Sequence, residues 1–161
     1  MRIAILVAAG LIAVSASSAC GSSPRPRRGP LAGAADSVAA AFSVECNGPD
    51  ACFGYRGGEL GFFETTQSGD VKFVARRSRM ARRAADSLAV HLRDSLDRQY
   101  GSGVPCASSI STRDERQWLH DGRQVVVVVE TGVTSDGAEV TLIQRSTPKQ
   151  CGVLEEPERF R

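Results

Sequence analysis

The sequence predicts an α+β domain: an antiparallel sheet of about five strands packed on one long amphipathic helix, with a short helix ahead of it. Three stretches predict this. Val71 to Arg76 alternates apolar and polar residues with period two, the pattern of a half-buried antiparallel strand. Val125 to Val129 is an unbroken run of valine, which belongs to a strand buried on both faces. Between Arg79 and Tyr100, Ala81, Ala84, Ala85, Leu88, Leu92 and Leu96 recur at helical spacing and make one apolar stripe.

Taken in order, Ala34 to Phe42 reads as the short helix, because alanine dominates it and Val38 and Phe42 stand four residues apart. Asn47-Gly48-Pro49-Asp50 turns the chain. Gly54, Gly57, Gly58 and Gly61 follow within eight residues and predict bends and bulges at a sheet edge. Their spacing matches neither a P-loop nor a dinucleotide fingerprint, so no cofactor is expected from them. Leu60 to Thr66 and Val71 to Arg76 form a hairpin through Gln67-Ser68-Gly69-Asp70, with Val71, Phe73 and Ala75 on one face. The long helix takes Ser78 as its N-cap and stops at Gly101. Gly101 to Thr112 is a loop. Thr112 with Glu115 matches a capping box, but Asp121-Gly122 ahead of the valine run favours a hairpin over a helical turn. Arg123 to Thr131 is the central strand, Thr134-Ser135-Asp136-Gly137 a turn, and Ala138 to Arg145 the return strand. Val153 and Leu154 add a last apolar contact, and Glu155, Glu156 and Glu158 form an acidic tail.

The helix begins against its own dipole. Arg76, Arg77, Arg79, Arg82 and Arg83 crowd the end where anions are preferred. They are therefore the candidate anion-binding residues, for phosphate, an anionic glycan or a lipid headgroup, with a solvated basic face as the plainer account. No aromatic residues interleave with them, and the formal net charge of the whole chain is only +2, so nucleic acid is not an expected partner. There are two histidines, His91 and His120, without His-x-x-x-His spacing, and the cysteines have neither zinc-ribbon nor redox-pair spacing, so no metal is expected. No Gly-x-Ser-x-Gly elbow occurs. A small hydrolase using His120 beside Asp121 is the remaining enzymatic alternative, and a non-catalytic role is preferred.

Compartment is read from the start of the chain. Arg2 precedes an apolar run from Ile3 to Val14, and small residues follow to Ala19. This is the order of a secretory signal. A run of about 12 residues covers roughly 18 Å as a helix, too short for a hydrocarbon core of about 30 Å. With Ser18 and Ala19 before Cys20, the stretch resembles the signal of a bacterial lipoprotein precursor. The resemblance covers the leader alone and implies cleavage before Cys20, lipid on its thiol and attachment to a membrane. Gly21 after the cysteine implies an outer membrane, on its periplasmic face, where the cell has one. Ordinary cleavage after Ala16 or Ala19 is the other reading of the same small residues.

Of the five cysteines, acylation of Cys20 leaves four, Cys46, Cys52, Cys106 and Cys151, as disulfide candidates in an oxidising compartment. Four cysteines allow three pairings among which the sequence does not choose, and Cys46 with Cys52 and Cys106 with Cys151 is the one taken as the expectation. The organisation is then a signal peptide over residues 1–19, a Pro/Arg/Gly/Ser tether over 20–33, and a single domain over 34–161. The expected function is a lipid-anchored envelope protein that is structural or binds a partner, whether an envelope protein or an anionic glycan.

Overall fold

The computed structural model describes residues 26–47, 51–108, 110–134 and 137–150. Helix α1 (Ala32–Phe42) is followed by strands β1 (Glu45–Asn47), β2 (Ala51–Arg56), β3 (Glu59–Thr65) and β4 (Val71–Ala81). Helix α2 (Arg82–Tyr100) then leads into β5 (Val104–Cys106), β6 (Arg113–His120), β7 (Arg123–Thr134) and β8 (Gly137–Arg145). All eight strands form one antiparallel sheet in the order β1-β2-β3-β4-β8-β7-β6-β5. The chain thus traces the same path twice, a helix and then a four-stranded meander, and the two meanders join where β4 pairs with β8.

Both helices lie on the same face. Directly paired residues share a face of a sheet, and Val74, Arg76 and Ser78 of β4 pair with Gln144, Leu142 and Val140 of β8. Val74 packs with Phe63 beneath α1, while Val140 and Leu142 pack beneath α2 with Val127, Val129 and Trp118. Among the described residues, the other face carries no helix. Its centre is Phe62, Ala75, Val126, Val128 and Ile143, all buried. The valine run therefore serves both faces, Val127 and Val129 under α2 and Val126 and Val128 behind it, as its unbroken apolar character requires.

The sheet expected to hold about five strands packed on one long helix has eight strands among the described residues, and the short first helix packs on the same face as the long one. The missing strands hid in stretches with poor strand composition. Gly54 and Gly61 are a cross-strand pair in β2 and β3, set where the end of α1 comes down on the sheet. A Cβ at Gly54 would overlap the carbonyl oxygen of Phe42, and one at Gly61 would overlap the Phe42 ring. These two glycines mark a close approach of helix to sheet within regular strands, not the edge bulges expected of them. Gly57 and Gly58 are the turn of that hairpin, and Gly57 has φ 63°, which the first position of a primed turn calls for. Strand β5 is short and contains Pro105.

The helix start is also corrected. Residues 79–81 continue β4, pairing with Gly137 to Glu139, and α2 opens at Arg82 with no side-chain cap. Ser78, expected as that cap, donates to Glu59 at 3.1 Å. A further difference lies in β4. The register shifts between Glu64 and Thr65, so Thr65 pairs with Val71 and Val71 joins Val74 beneath α1. The bulge reverses the face that simple alternation assigns to Val71.

Other expected elements are present. Asp121 and Gly122 have φ of 49° and 70° and close the β6–β7 hairpin, the two left-handed residues a type I′ turn needs. Gly101, with φ 82°, ends α2 and donates to the Asp97 carbonyl. The Asn47–Asp50 turn beyond Asn47, residues 135 and 136, and the apolar and acidic tail from Cys151 onward lie outside the described residues.

Candidate functional site

A groove of about 320 Å³ opens on the face opposite α1 and α2, at the end of the sheet that holds the β2–β3 turn. Tyr55 forms one wall and is 65 % exposed. The Gly57–Gly58 turn forms the rim, held to β4 by the Arg79 amide donating to the Gly58 carbonyl at 3.1 Å. Arg77, Arg79 and Glu139 form the floor. Glu139 receives both guanidinium groups, Arg77 Nε at 3.0 Å and Arg79 Nη2 at 3.2 Å.

This geometry divides the five candidate arginines. Arg77 and Arg79 reach the groove, and they share one carboxylate there. With Glu59 also on the rim, two cations face two anions, so the groove presents guanidinium donors and an aromatic wall without excess positive charge. Arg76 points to the opposite face, where its guanidinium lies 5.3 Å from the Phe42 ring centre and Arg56 covers the same ring at 5.6 Å. Arg76 thus holds α1 down, an Arg–aromatic stacking role. Arg82 and Arg83 are exposed in the first turn of α2, which contains no acidic residue. The strand continuing to Ala81 separates the five, because alternate residues of a strand point to opposite faces.

His120 pairs with Asp121, Nε2 to Oδ2 at 3.1 Å, and its ring lies 5.1 Å from that of Tyr100. The cavity it lines with Leu31 and Arg123 has a volume of about 20 Å³. That is room for about one water and not for a substrate. His91 is exposed on α2. Among the described residues, no three His, Cys, Asp or Glu side chains gather as a metal cage. No helix among them is long and apolar enough to cross a membrane.

Cys46 and Cys52 are joined by a disulfide across the β1–β2 pair, with the two residues in direct register. Cys106 is also disulfide-bonded, and its partner lies outside the described residues, as do Cys20 and Cys151.

Two polar residues that no sequence motif singles out tie neighbouring elements together. Asp97, in the last turn of α2, accepts from Trp118 Nε1 at 2.8 Å and from the Gly103 amide at 2.9 Å. It ties the last turn of α2 to β6 and to the loop before β5. The Gly103 and Trp118 hydrogen bonds, helped by Arg116, hold the Asp97 carboxyl below its ordinary value of 3.8. A depressed carboxylate stabilises the fold above its unfolded pKa and loses that contribution as pH falls through the folded value. Asp97→Asn is therefore expected to lower stability at neutral pH, and the gap to wild type is expected to close below pH 3.8, read by denaturant titrations at several pH values. A constant gap across that range would exclude the charge as the cause.

Gln124 is the second, at 1 % exposure in the head of the valine strand. Its amide joins Gln117, Arg145 and the main chain of Lys149. Comparison with known proteins finds no family model, no curated relative and no solved structure that matches this chain.

Proposed function

We propose that the chain is exported, cleaved before Cys20 and held at the cell envelope by lipid on that cysteine, where its domain supports or binds a partner without catalysis. One observation carries the proposal: Cys46, Cys52 and Cys106 are all oxidised. Disulfides persist in exported proteins and are rare where thiols are kept reduced. Joined to a leader with a basic start, an apolar run and small residues ending at Cys20, they favour life outside the cytosol.

The groove beside Tyr55 is the surface for the partner. Its neutral balance and aromatic wall suit a protein segment better than a strongly anionic ligand, because Arg77 and Arg79 already bind Glu139. The hydrolase alternative loses ground at His120, whose cavity has no room for a substrate.

The test is the intact mass of the chain extracted from membranes. The expected mass lacks residues 1–19, carries an acyl increment on Cys20 and shows two disulfides. An uncut chain in the cytosol with free thiols overturns the proposal. The bond at Cys46 makes its own prediction. It closes a loop with a sequence separation of 6. Replacing Cys46 and Cys52 together by serine should cost about 2 kcal/mol by loop entropy, read as a shift in denaturation midpoint.

A further inference from the structure

We infer that one end of the domain, carrying Arg28, Lys72, Arg123 and Lys149, faces the membrane that holds Cys20 and seats on its anionic headgroups. The inference rests on the lipid anchor proposed above and adds an orientation and a contact surface to it.

The argument starts from where the folded part begins. Arg28 forms a parallel bridge with Asp70: its amide donates to the Gly69 carbonyl at 2.9 Å, and its carbonyl accepts from Val71 at 3.0 Å. Arg27 pairs with Asp36 at 2.6 Å and lies 4.5 Å from the Phe63 ring centre, and Leu31 is buried. The stretch read as a tether is thus docked from Arg27 onward. Residues 21–25 alone separate Cys20 from the described chain. Fully extended, the link from Cys20 to Pro26 spans about 20 Å. A leash so short fixes which end of the domain meets the bilayer.

That end is identified by contacts. Arg28 sits on the β3–β4 turn. Lys72 follows that turn, and its carbonyl receives Ser146 after β8. Lys149 is held by Gln124 at the start of β7, next to Arg123. Leu31 shares a small cavity with His120 and Arg123 at the β6–β7 turn. Four cations therefore gather at the leash end, with Asp70 and Asp121 among them, and Leu119 beside them is 59 % exposed. Each Lys or Arg near an anionic surface contributes a favourable attraction that fades within a Debye length. The groove lies toward the other end of β4, where Arg77 and Arg79 line it, and the seven residue steps from Lys72 to Arg79 cover about 23 Å of strand. Seating the leash end points the groove away from the membrane, toward the aqueous compartment.

The test uses the full exported chain, reconstituted on phosphatidylcholine vesicles with and without phosphatidylglycerol. A photo-crosslinking residue replaces Leu119 at one end or Tyr55 at the other. The Leu119 probe is expected to label lipid at least about fivefold more than the Tyr55 probe. The double variant Arg28→Glu/Lys72→Glu, at two exposed side chains, is expected to lower Leu119 labelling about tenfold on anionic vesicles and little on neutral ones. Equal labelling at the two ends of a chain with acylated Cys20 overturns the orientation and leaves the anchor standing. Cys20 without acyl removes the anchor instead. Co-sedimentation of that soluble chain with anionic vesicles then decides the surface: binding that the double variant abolishes supports it, and no binding overturns it.

Discussion

Gly54→Ala is expected to destabilise the domain by about 3 kcal/mol, the cost of overpacking at a contact that cannot yield. A Cβ at this position would overlap the Phe42 carbonyl oxygen and stand 3.0 Å from its carbonyl carbon. Both atoms are main chain at the end of α1, so the helix must lift. Lifting it takes Val38 and Phe42 off the sheet, where each is now buried. For a domain of this size, the loss should lower the melting temperature by about 10 °C. Gly61→Ala gives the comparison. Its nearest obstacles are the Phe42 ring and Val38 Cγ1, which are side-chain atoms. A second change, Phe42→Leu, should therefore relieve Gly61→Ala and not Gly54→Ala. Gly33→Ala is the control in the same helix: nothing lies within 4 Å of the added methyl, and helix propensity predicts a gain of up to about 1 kcal/mol. Equal, small effects at Gly54 and Gly33 would mean that α1 does not rest on the sheet as described.

How far the sequence could be read follows from which forces act locally. The β3–β4 and β6–β7 hairpins and the return strand β8 were legible because alternation and turn residues are local signals. The β2–β3 hairpin was not, because Gly54 and Gly61 are chosen by a helix that packs on them from elsewhere in the chain. The start of α2 was misplaced for a related reason. Arg79, Met80 and Ala81 suit a helix by propensity, yet they pair with Glu139, Ala138 and Gly137 in the long joint between the two meanders. That error made one cluster of five arginines, of which β4 sends Arg76 to one face and Arg77 and Arg79 to the other, while Arg82 and Arg83 open α2. The groove residues Tyr55 and Glu139 stand 84 positions apart in the sequence, and no local pattern links them. Asp97 was visible as a polar residue on a helix, and its two donors were not, since Trp118 and Gly103 reach it only through tertiary packing.

The largest effect at a polar site is expected at Gln124. Its Nε2 donates to Gln117 Oε1 at 2.6 Å and to the Lys149 carbonyl at 2.9 Å. Its Oε1 accepts from Arg145 Nη1 at 3.0 Å and from the Lys149 amide at 3.1 Å. One side chain thus joins β6, β7, β8 and the segment after β8 on the face opposite α1 and α2. Gln124→Met keeps the volume and removes all four hydrogen bonds. Arg145 is 5 % exposed, so its guanidinium loses an acceptor where water cannot readily replace it. Losing an acceptor from a buried cation and unbinding Lys149 should together cost about 3 kcal/mol. The second readout is local. Amide exchange at Lys149 is expected to rise in the variant well before exchange in β7, because its donor bond ends on Gln124 while β7 keeps its ladders to β6 and β8. If Gln124→Met leaves both stability and Lys149 exchange unchanged, the packing of the helix-free face alone holds the segment after β8, and the amide hub is incidental to the fold.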